Sequence, residues 1–292
     1  MKPPLFDYRA PTTIEEAIAA LAGDDDAIVL AGGQSLLPAM NFRVAHPSLL
    51  VDIQHVAGLK GISIEGDEIV VKAMTRHREL ELDEAVRRAN PLIAEAMGHV
   101  AHIPILNRGT VVGSLCHADP SAEMPLILVL LGGSVLAHGP AGQRKIPADA
   151  FFHSQLTTAR RPDEIVVDAR FPVLAPDAGW AFDEVARRHG DFAIAGVGAV
   201  VRLDARRKTT EVRLAACGIA DRPVRLIEAE KRLIGTSLSA SDLAAAAAAA
   251  AIAVTVADDM HASARYRRRV VVALVERMVA KAAARAEKRI AR

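Results

Sequence analysis

Ile14, Ala17, Ile18 and Leu21 recur at the spacing of one helical face, with Thr12-Thr13 ahead of them and Glu15-Glu16 in the first turn. This pattern predicts a capped helix ending near Gly23. The period then changes. Residues 27–30 form a short apolar run that reads as a strand, and 49–53 reads as the next one, so the first fifty residues predict a small β-α-β-type unit. From Gly61 the chain alternates, with Ile62, Ile64, Ile69 and Val71 at strand positions around the turn Glu65-Gly66-Asp67. Helical spacing returns over 75–88 and 91–98, and 125–131 is a short, wholly apolar helix. Residues 134–137 and 165–169 read as strands.

The stretch Phe171-Pro172-Val173-Leu174-Ala175-Pro176-Asp177 ends an apolar run with two prolines and marks the expected domain boundary. Beyond it, 192–203 and 212–219 are β-rich and 223–233 is helical. Ser239-Ala240-Ser241-Asp242 caps an alanine-rich helix, and a charged helix runs from about 263 to 292. Strands first and helices late predict an α+β second domain.

A chain of 292 residues exceeds what one hydrophobic core usually serves. Thirty-six basic residues against 35 acidic ones leave a formal charge of +1, which removes the electrostatic footprint of a nucleic-acid binder. The two cysteines, Cys116 and Cys217, form no CxxC pair and read as reduced, unpaired thiols. Met1-Lys2-Pro3-Pro4-Leu5 lacks an apolar signal core, and the alanine run at 244–251 is too short and too weakly hydrophobic to span a bilayer. A soluble cytoplasmic protein without a membrane span is expected.

The candidate chemistry lies in two glycine stretches, Ala31-Gly32-Gly33-Gln34-Ser35 and Gly109-Thr110-Val111-Val112-Gly113-Ser114. Glycine lets backbone approach an anion closely and adopt positive φ, which turns successive N–H groups into one concavity. One such stretch is ordinary loop geometry. Two suggest a diphosphate held from both sides, hence a nucleotide cofactor.

At these residues the chain resembles the FAD-binding medium subunit of the molybdenum hydroxylases, the xanthine dehydrogenase and aerobic carbon monoxide dehydrogenase family. The resemblance rests on Leu30-Ala31-Gly32-Gly33-Gln34-Ser35-Leu36-Leu37-Pro38 and on Asn107-Arg108-Gly109-Thr110 through Gly113-Ser114-Leu115-Cys116-His117-Ala118-Asp119-Pro120-Ser121-Ala122-Glu123. Arg187-Arg188-His189-Gly190-Asp191-Phe192-Ala193 and Asp259-Met260-His261-Ala262-Ser263-Ala264-Arg265-Tyr266-Arg267-Arg268 follow in order. It implies an α+β fold: an FAD-binding domain over 1–176, in subdomains of about 1–58 and 59–176, then a C-terminal flavoprotein domain over 177–292.

The resemblance further implies FAD as cofactor. Its diphosphate would meet mainly the amides of Gly32, Gly33, Gln34, Ser35 and Leu36 and those of Thr110, Val111, Val112, Gly113 and Ser114, with Ala31 beside the cofactor and the Ser35 and Ser114 hydroxyls as added donors. His117, Asp119 and Glu123 would line the ribityl and ribose parts, Glu123 as an acceptor for ribose hydroxyls, and Asp191 and Phe192 would approach the isoalloxazine ring. No side chain need act as nucleophile or base, because the redox chemistry belongs to the flavin. The implied partners are a small [2Fe–2S] subunit and a large molybdenum-cofactor subunit, in a heterotrimer commonly doubled.

One residue departs from the family pattern. Val112 stands where the family usually has the first of two glycines, so either the backbone there is ordinary or binding is weakened. The rival functions are a self-contained FAD oxidoreductase and a flavin-free scaffold homologue. Simpler readings stand beside the other conspicuous residues. His99 and His102 lack further ligand partners at metal spacing, Cys116 reads as a packing residue, and Asp24-Asp25-Asp26 reads as a solvated turn. The basic run at 265–269 reads as a surface helix or a subunit contact.

Overall fold

The computed structural model describes residues 2–290; Met1 and the last two positions of the expected C-terminal helix lie outside the described residues. At the N-terminus three short strands pair in parallel, with Leu49–Asp52 between Asp7–Arg9 and Ile28–Leu30. The Ile14–Ala22 helix crosses between them. Its start is fixed as the sequence predicts: Thr13 accepts from the Glu16 amide while the Glu16 carboxylate accepts from the amides of Thr12 and Thr13. The strand Asp7–Arg9 is an addition, since three exposed residues give no apolar signal.

The next unit is built on a five-stranded antiparallel sheet in the order Ile62–Glu65, Glu68–Lys72, Ile165–Pro172, Ser134–Gly139, Gly142–Pro147. Its middle strand arrives almost a hundred residues after its neighbour. Between them run seven helices, and the single helix expected over 75–88 is in fact two, His77–Leu82 and Glu84–Ala89. Asp83 breaks them apart. Its backbone is extended and its carboxylate accepts from the Val86 amide at 2.9 Å, so it starts the second helix instead of continuing the first.

A second antiparallel sheet orders Gly179–Val185, Ala195–Leu203, Thr209–Cys217 and Val224–Arg225, followed by the helices Ile227–Leu233, Ala240–Ile252 and Ala264–Ile290. Both its faces are buried. Ala181, Val197, Ala199, Val201, Leu214 and Ala216 pack against the late helices, while Phe182, Val200, Ala215 and Cys217 belong to the core of the preceding unit.

The Glu123–Leu131 helix fills the gap between the two sheets, and all nine of its residues are buried. That position explains a helix with no polar face. It lies against small residues: a Cβ on Gly198 would meet Leu130 Cδ2 at 2.6 Å and Leu126 Cδ2 at 3.1 Å. Glu95 clasps the same junction from outside, accepting from Trp180 Nε1 at 3.1 Å and pairing with Lys281 at 2.6 Å and with Arg285. Among the described residues no helix is long and apolar enough to cross a membrane.

Candidate functional site

Strand Ile28–Leu30 delivers the chain into the first glycine stretch, which turns at Gly33 (φ +73°) and enters the short Leu36–Asn41 helix. The second stretch follows a turn and becomes the start of the Val111–His117 helix. The two are in direct backbone contact. A Cβ on Gly32 would stand 2.5 Å from the Arg108 carbonyl oxygen and 2.8 Å from Gly109 Cα, so no side chain fits there without parting the loops.

Hydrogen bonding shows what each loop can offer. None of the amides from Gly32 to Leu36 donates to another group of the described chain, and neither do those of Thr110 and Val112. The Ser35 and Ser114 hydroxyls are likewise uncommitted, and Ala31 lies half-buried where the strand ends. Gln34 folds back, its side-chain Nε2 donating to the Gly32 carbonyl at 3.2 Å. Other expected donors are spent. The Val111 amide bonds Thr75, the Gly113 amide bonds Thr110 Oγ1 at 3.1 Å, and the Ser114 amide bonds the Thr110 carbonyl. These are the bonds of a capped first helical turn, which sequence reading had counted as free donors. Seven partnerless amides on two touching loops fit an oxygen-rich anion such as the diphosphate of a dinucleotide.

Gly113 and Val112 occupy opposite environments. A Cβ on Gly113 would stand 2.5 Å from Thr110 Oγ1, whereas Val112 packs its side chain into the core and has no positive φ. Beneath the second loop His77 is buried, with the Gly109 carbonyl accepting from its amide and both ring nitrogens without a partner. Burial pushes its pKa down to about 4. Nothing in the sequence marks a histidine at a helix start as buried.

The Val111–His117 helix, seven residues and about 10 Å long, leads from the second loop to the next group of expected residues. His117 closes the helix, half-buried, with its pKa lowered by burial. Ala118 reverses the chain in the left-handed region, and Asp119 accepts from the Ser121 amide at 2.8 Å. Glu123 is 5% exposed, and burial, followed by the Glu184 carboxylate, raises its pKa to about 8. Glu184 comes from the second sheet, and its Oε1 lies 3.7 Å from His99 Nδ1, an ion-pair distance and too long for a hydrogen bond. That carboxylate raises the His99 pKa. His99 therefore has a carboxylate partner, and Glu184 joins this region although no local motif announces it.

Asp191 and Phe192 stand exposed on the turn after Gly190, and a Cβ on Gly190 would meet His102 and the Ala101 carbonyl within 2.7 Å. The turn is thus seated on the segment leading to the second loop. Arg267 secures the neighbouring turns from within, donating to the carbonyls of Ile194 and Gly218 and pairing with Asp259. The basic run's central member is therefore buried, and the amide of Gly218 in turn donates to the Pro120 carbonyl at 2.7 Å. Cys116 and Cys217 are free thiols, and burial pushes Cys116 up to about 11, out of the reactive range.

The family model described as the FAD binding domain in molybdopterin dehydrogenase matches residues 4–174. The chain belongs to this family. In the flavoprotein subunit a second model, the CO dehydrogenase flavoprotein C-terminal domain, matches residues 180–282. The subunit is 43% identical to the 6-hydroxypseudooxynicotine dehydrogenase complex subunit alpha of Paenarthrobacter nicotinovorans, over 98% of this chain and 97% of that one. It is 35% identical to the carbon monoxide dehydrogenase medium chain of Hydrogenophaga pseudoflava, over 98% of this chain and 99% of the other. The solved carbon monoxide dehydrogenase from Hydrogenophaga pseudoflava, which lacks the Mo-pyranopterin moiety, superposes with a TM-score of 0.95 at 36% identity, covering 98% and 99% of the two chains. The flavoprotein subunit is accordingly an FAD-binding medium subunit of a molybdenum hydroxylase complex, and an oxidoreductase component.

Proposed function

We propose that this chain relays electrons, receiving them from [2Fe–2S] clusters of a small partner subunit and passing them through FAD to an external acceptor, while a large molybdenum-cofactor subunit oxidises the substrate. The three form a heterotrimer, doubled in the assembled enzyme. The supporting observation is the pair of touching glycine loops with their seven partnerless amides. FAD, when bound, supplies a centre that takes up and gives back electrons. The chain's own part is to hold the diphosphate by backbone amides of Gly32 to Leu36, Thr110 and Val112. Cys116 and Cys217 are too few for a four-thiolate cluster, and no group of three or more His, Cys, Asp or Glu among the described residues could hold a metal, which supports placing the clusters on another subunit.

The test begins with the visible spectrum of the desalted chain and the mass of its released cofactor, expected to be FAD at about one per chain. Gly32→Ala, which forces backbone apart, should abolish flavin retention while circular dichroism stays unchanged. In the assembled complex, substrate should reduce the flavin; in the isolated chain it should not. A Gly32→Ala protein with full flavin removes the loops from the site, and an isolated chain that its substrate reduces removes the relay.

A further inference from the structure

Two arginines flank the place where the glycine loops touch. Arg76 lies opposite Thr110 in an isolated antiparallel bridge. The His77 amide donates to the Gly109 carbonyl and the Val111 amide to the Thr75 carbonyl, so Arg76 and Thr110 form the closely spaced, non-hydrogen-bonded kind of pair, with Cα atoms about 4.5 Å apart. From there the Arg76 Nη1 donates to the Arg108 carbonyl. That oxygen is the one that would stand 2.5 Å from a Cβ on Gly32. The Arg76 guanidinium is therefore set at the seam of the two loops, beside the partnerless amides of Gly32 and Thr110.

Neither arginine has an anionic partner among the described residues. Elsewhere in the chain such side chains meet a carboxylate: Arg144 pairs with Glu164 at 2.6 Å and Arg225 with Glu230 at 2.8 Å. The two acids whose charge reaches Arg76 are engaged otherwise. Glu79 accepts from its backbone amide at 2.7 Å, and Asp52 accepts from Tyr8 Oη at 2.7 Å and from the Gln54 amide at 2.9 Å. The Arg76 Nε and Nη2 make no hydrogen bond, and the exposed Arg108 guanidinium makes none either. Burial lowers the Arg76 pKa and the charge of Arg108 lowers it further, so the two cations are near enough to repel. Two like charges beside a row of free amides are unfavourable until an anion neutralises them.

We propose that Arg76, with Arg108 beside it, supplies the positive charge for the diphosphate that the glycine loops hold, Arg76 at the same time pinning the second loop against Gly32. The proposal deepens the FAD reading above and rests on it. Backbone amides offer partial charges only, and a diphosphate brings full negative ones. A guanidinium adds a fixed charge whose planar fork matches two phosphate oxygens at once. The division of labour follows from the fold: Arg76 is half-buried and held by its bond to the second loop, whereas Arg108 reaches in from solvent.

The test measures FAD affinity of the flavin-freed full chain while ionic strength rises from about 0.01 to 0.15 M, which shortens the screening length from about 30 to about 8 Å. Wild type should lose affinity as salt rises. Arg76→Gln should bind FAD about ten- to a hundredfold more weakly at low salt and depend less on salt, because one charge-assisted contact is gone. Arg76→Lys keeps the charge without the fork, so it should keep the salt dependence and lose less affinity. Arg108→Gln, altering an exposed side chain without a partner, should fold as wild type by circular dichroism and also bind FAD more weakly with a reduced salt dependence. It carries the test should Arg76→Gln fail to fold. Inorganic diphosphate serves as a flavin-free probe, expected to raise the unfolding midpoint of wild type more than that of either glutamine variant.

Glutamine variants that bind FAD with wild-type affinity and salt dependence overturn the proposal and leave the FAD reading standing. An equal loss in Arg76→Lys and Arg76→Gln at unchanged salt dependence reduces Arg76 to a brace between the loops and overturns its role as the countercharge. A wild-type chain that takes up no FAD removes the FAD reading, and inorganic diphosphate then decides the arginines. Stabilisation of wild type that the glutamine variants lose upholds them as an anion site, and stabilisation of none overturns it.

Discussion

Val112 replaces a glycine usual in the family, and its backbone is ordinary, without a positive φ. The position lies in the first turn of the Val111–His117 helix, its side chain is in the core, and its amide has no partner among the described residues. Gly32 and Gly113 are different, because a Cβ at either would strike an atom 2.5 Å away. Spacing alone could not separate these cases: sequence marks where glycines fall, while their necessity depends on which backbone comes close. Val112→Gly is therefore expected to leave flavin content unchanged and to lower unfolding stability by about 3 kcal/mol, from the lost burial and the added helix flexibility. Urea unfolding and the ratio of flavin to protein absorbance check both parts. A gain in flavin would restore the reading in which the valine weakens binding.

At the scale of elements, the helices and strands with their own apolar period were legible, including the capped Ile14–Ala22 helix and the capping box of Ser239 with Asp242. Elements defined by a distant partner were not. Gly142–Pro147 is mostly polar and exists because it pairs with Ser134–Gly139, and Glu184 reaches His99 only because the second sheet packs on the preceding unit. His77 is of the same kind, buried because its helix start packs under Gly109. It gives a pH signature with a definite sign. The folded protein keeps His77 neutral down to about pH 4, whereas the unfolded chain protonates it near 6.5, so between those values the unfolded state binds the extra proton. Stability should fall as pH is lowered through that window, by roughly 3 kcal/mol from this group. Carboxylates held low by their ion pairs, such as Glu164 beside Arg144, lose stability in acid too. The measurement is thus the difference between wild type and His77→Gln in urea unfolding from pH 7.5 to 4, which should narrow the acid loss. A parallel pair of curves would show that His77 does not titrate as a buried neutral group.

For the whole molecule, the question is whether two sheets with two sets of helices behave as one body. The apolar answer is the Glu123–Leu131 helix, whose buried residues contribute to a core that includes Phe182, Val200, Ala215 and Cys217 of the second sheet. The polar answer is Glu95, which ties Trp180, Lys281 and Arg285 together while Arg285 and Arg289 cover the Trp180 ring at 4.8 and 4.7 Å. The clasp is partly solvent-exposed, so its share should be modest, and the buried helix should hold the halves together without it. Trp180 is the only tryptophan in the chain and reports on this junction alone. Urea unfolding followed by Trp180 emission should coincide with that followed by circular dichroism, in a single transition. Glu95→Ala should lower its free energy by about 1–3 kcal/mol, because Trp180 Nε1 loses its acceptor and two cations lose their partner, while the two probes stay coincident. Were the Glu95→Ala probes to separate, with Trp180 moving first, the junction between the sheets would be held by its rim. Flavin affinity would then depend on Glu95 as strongly as on the loops.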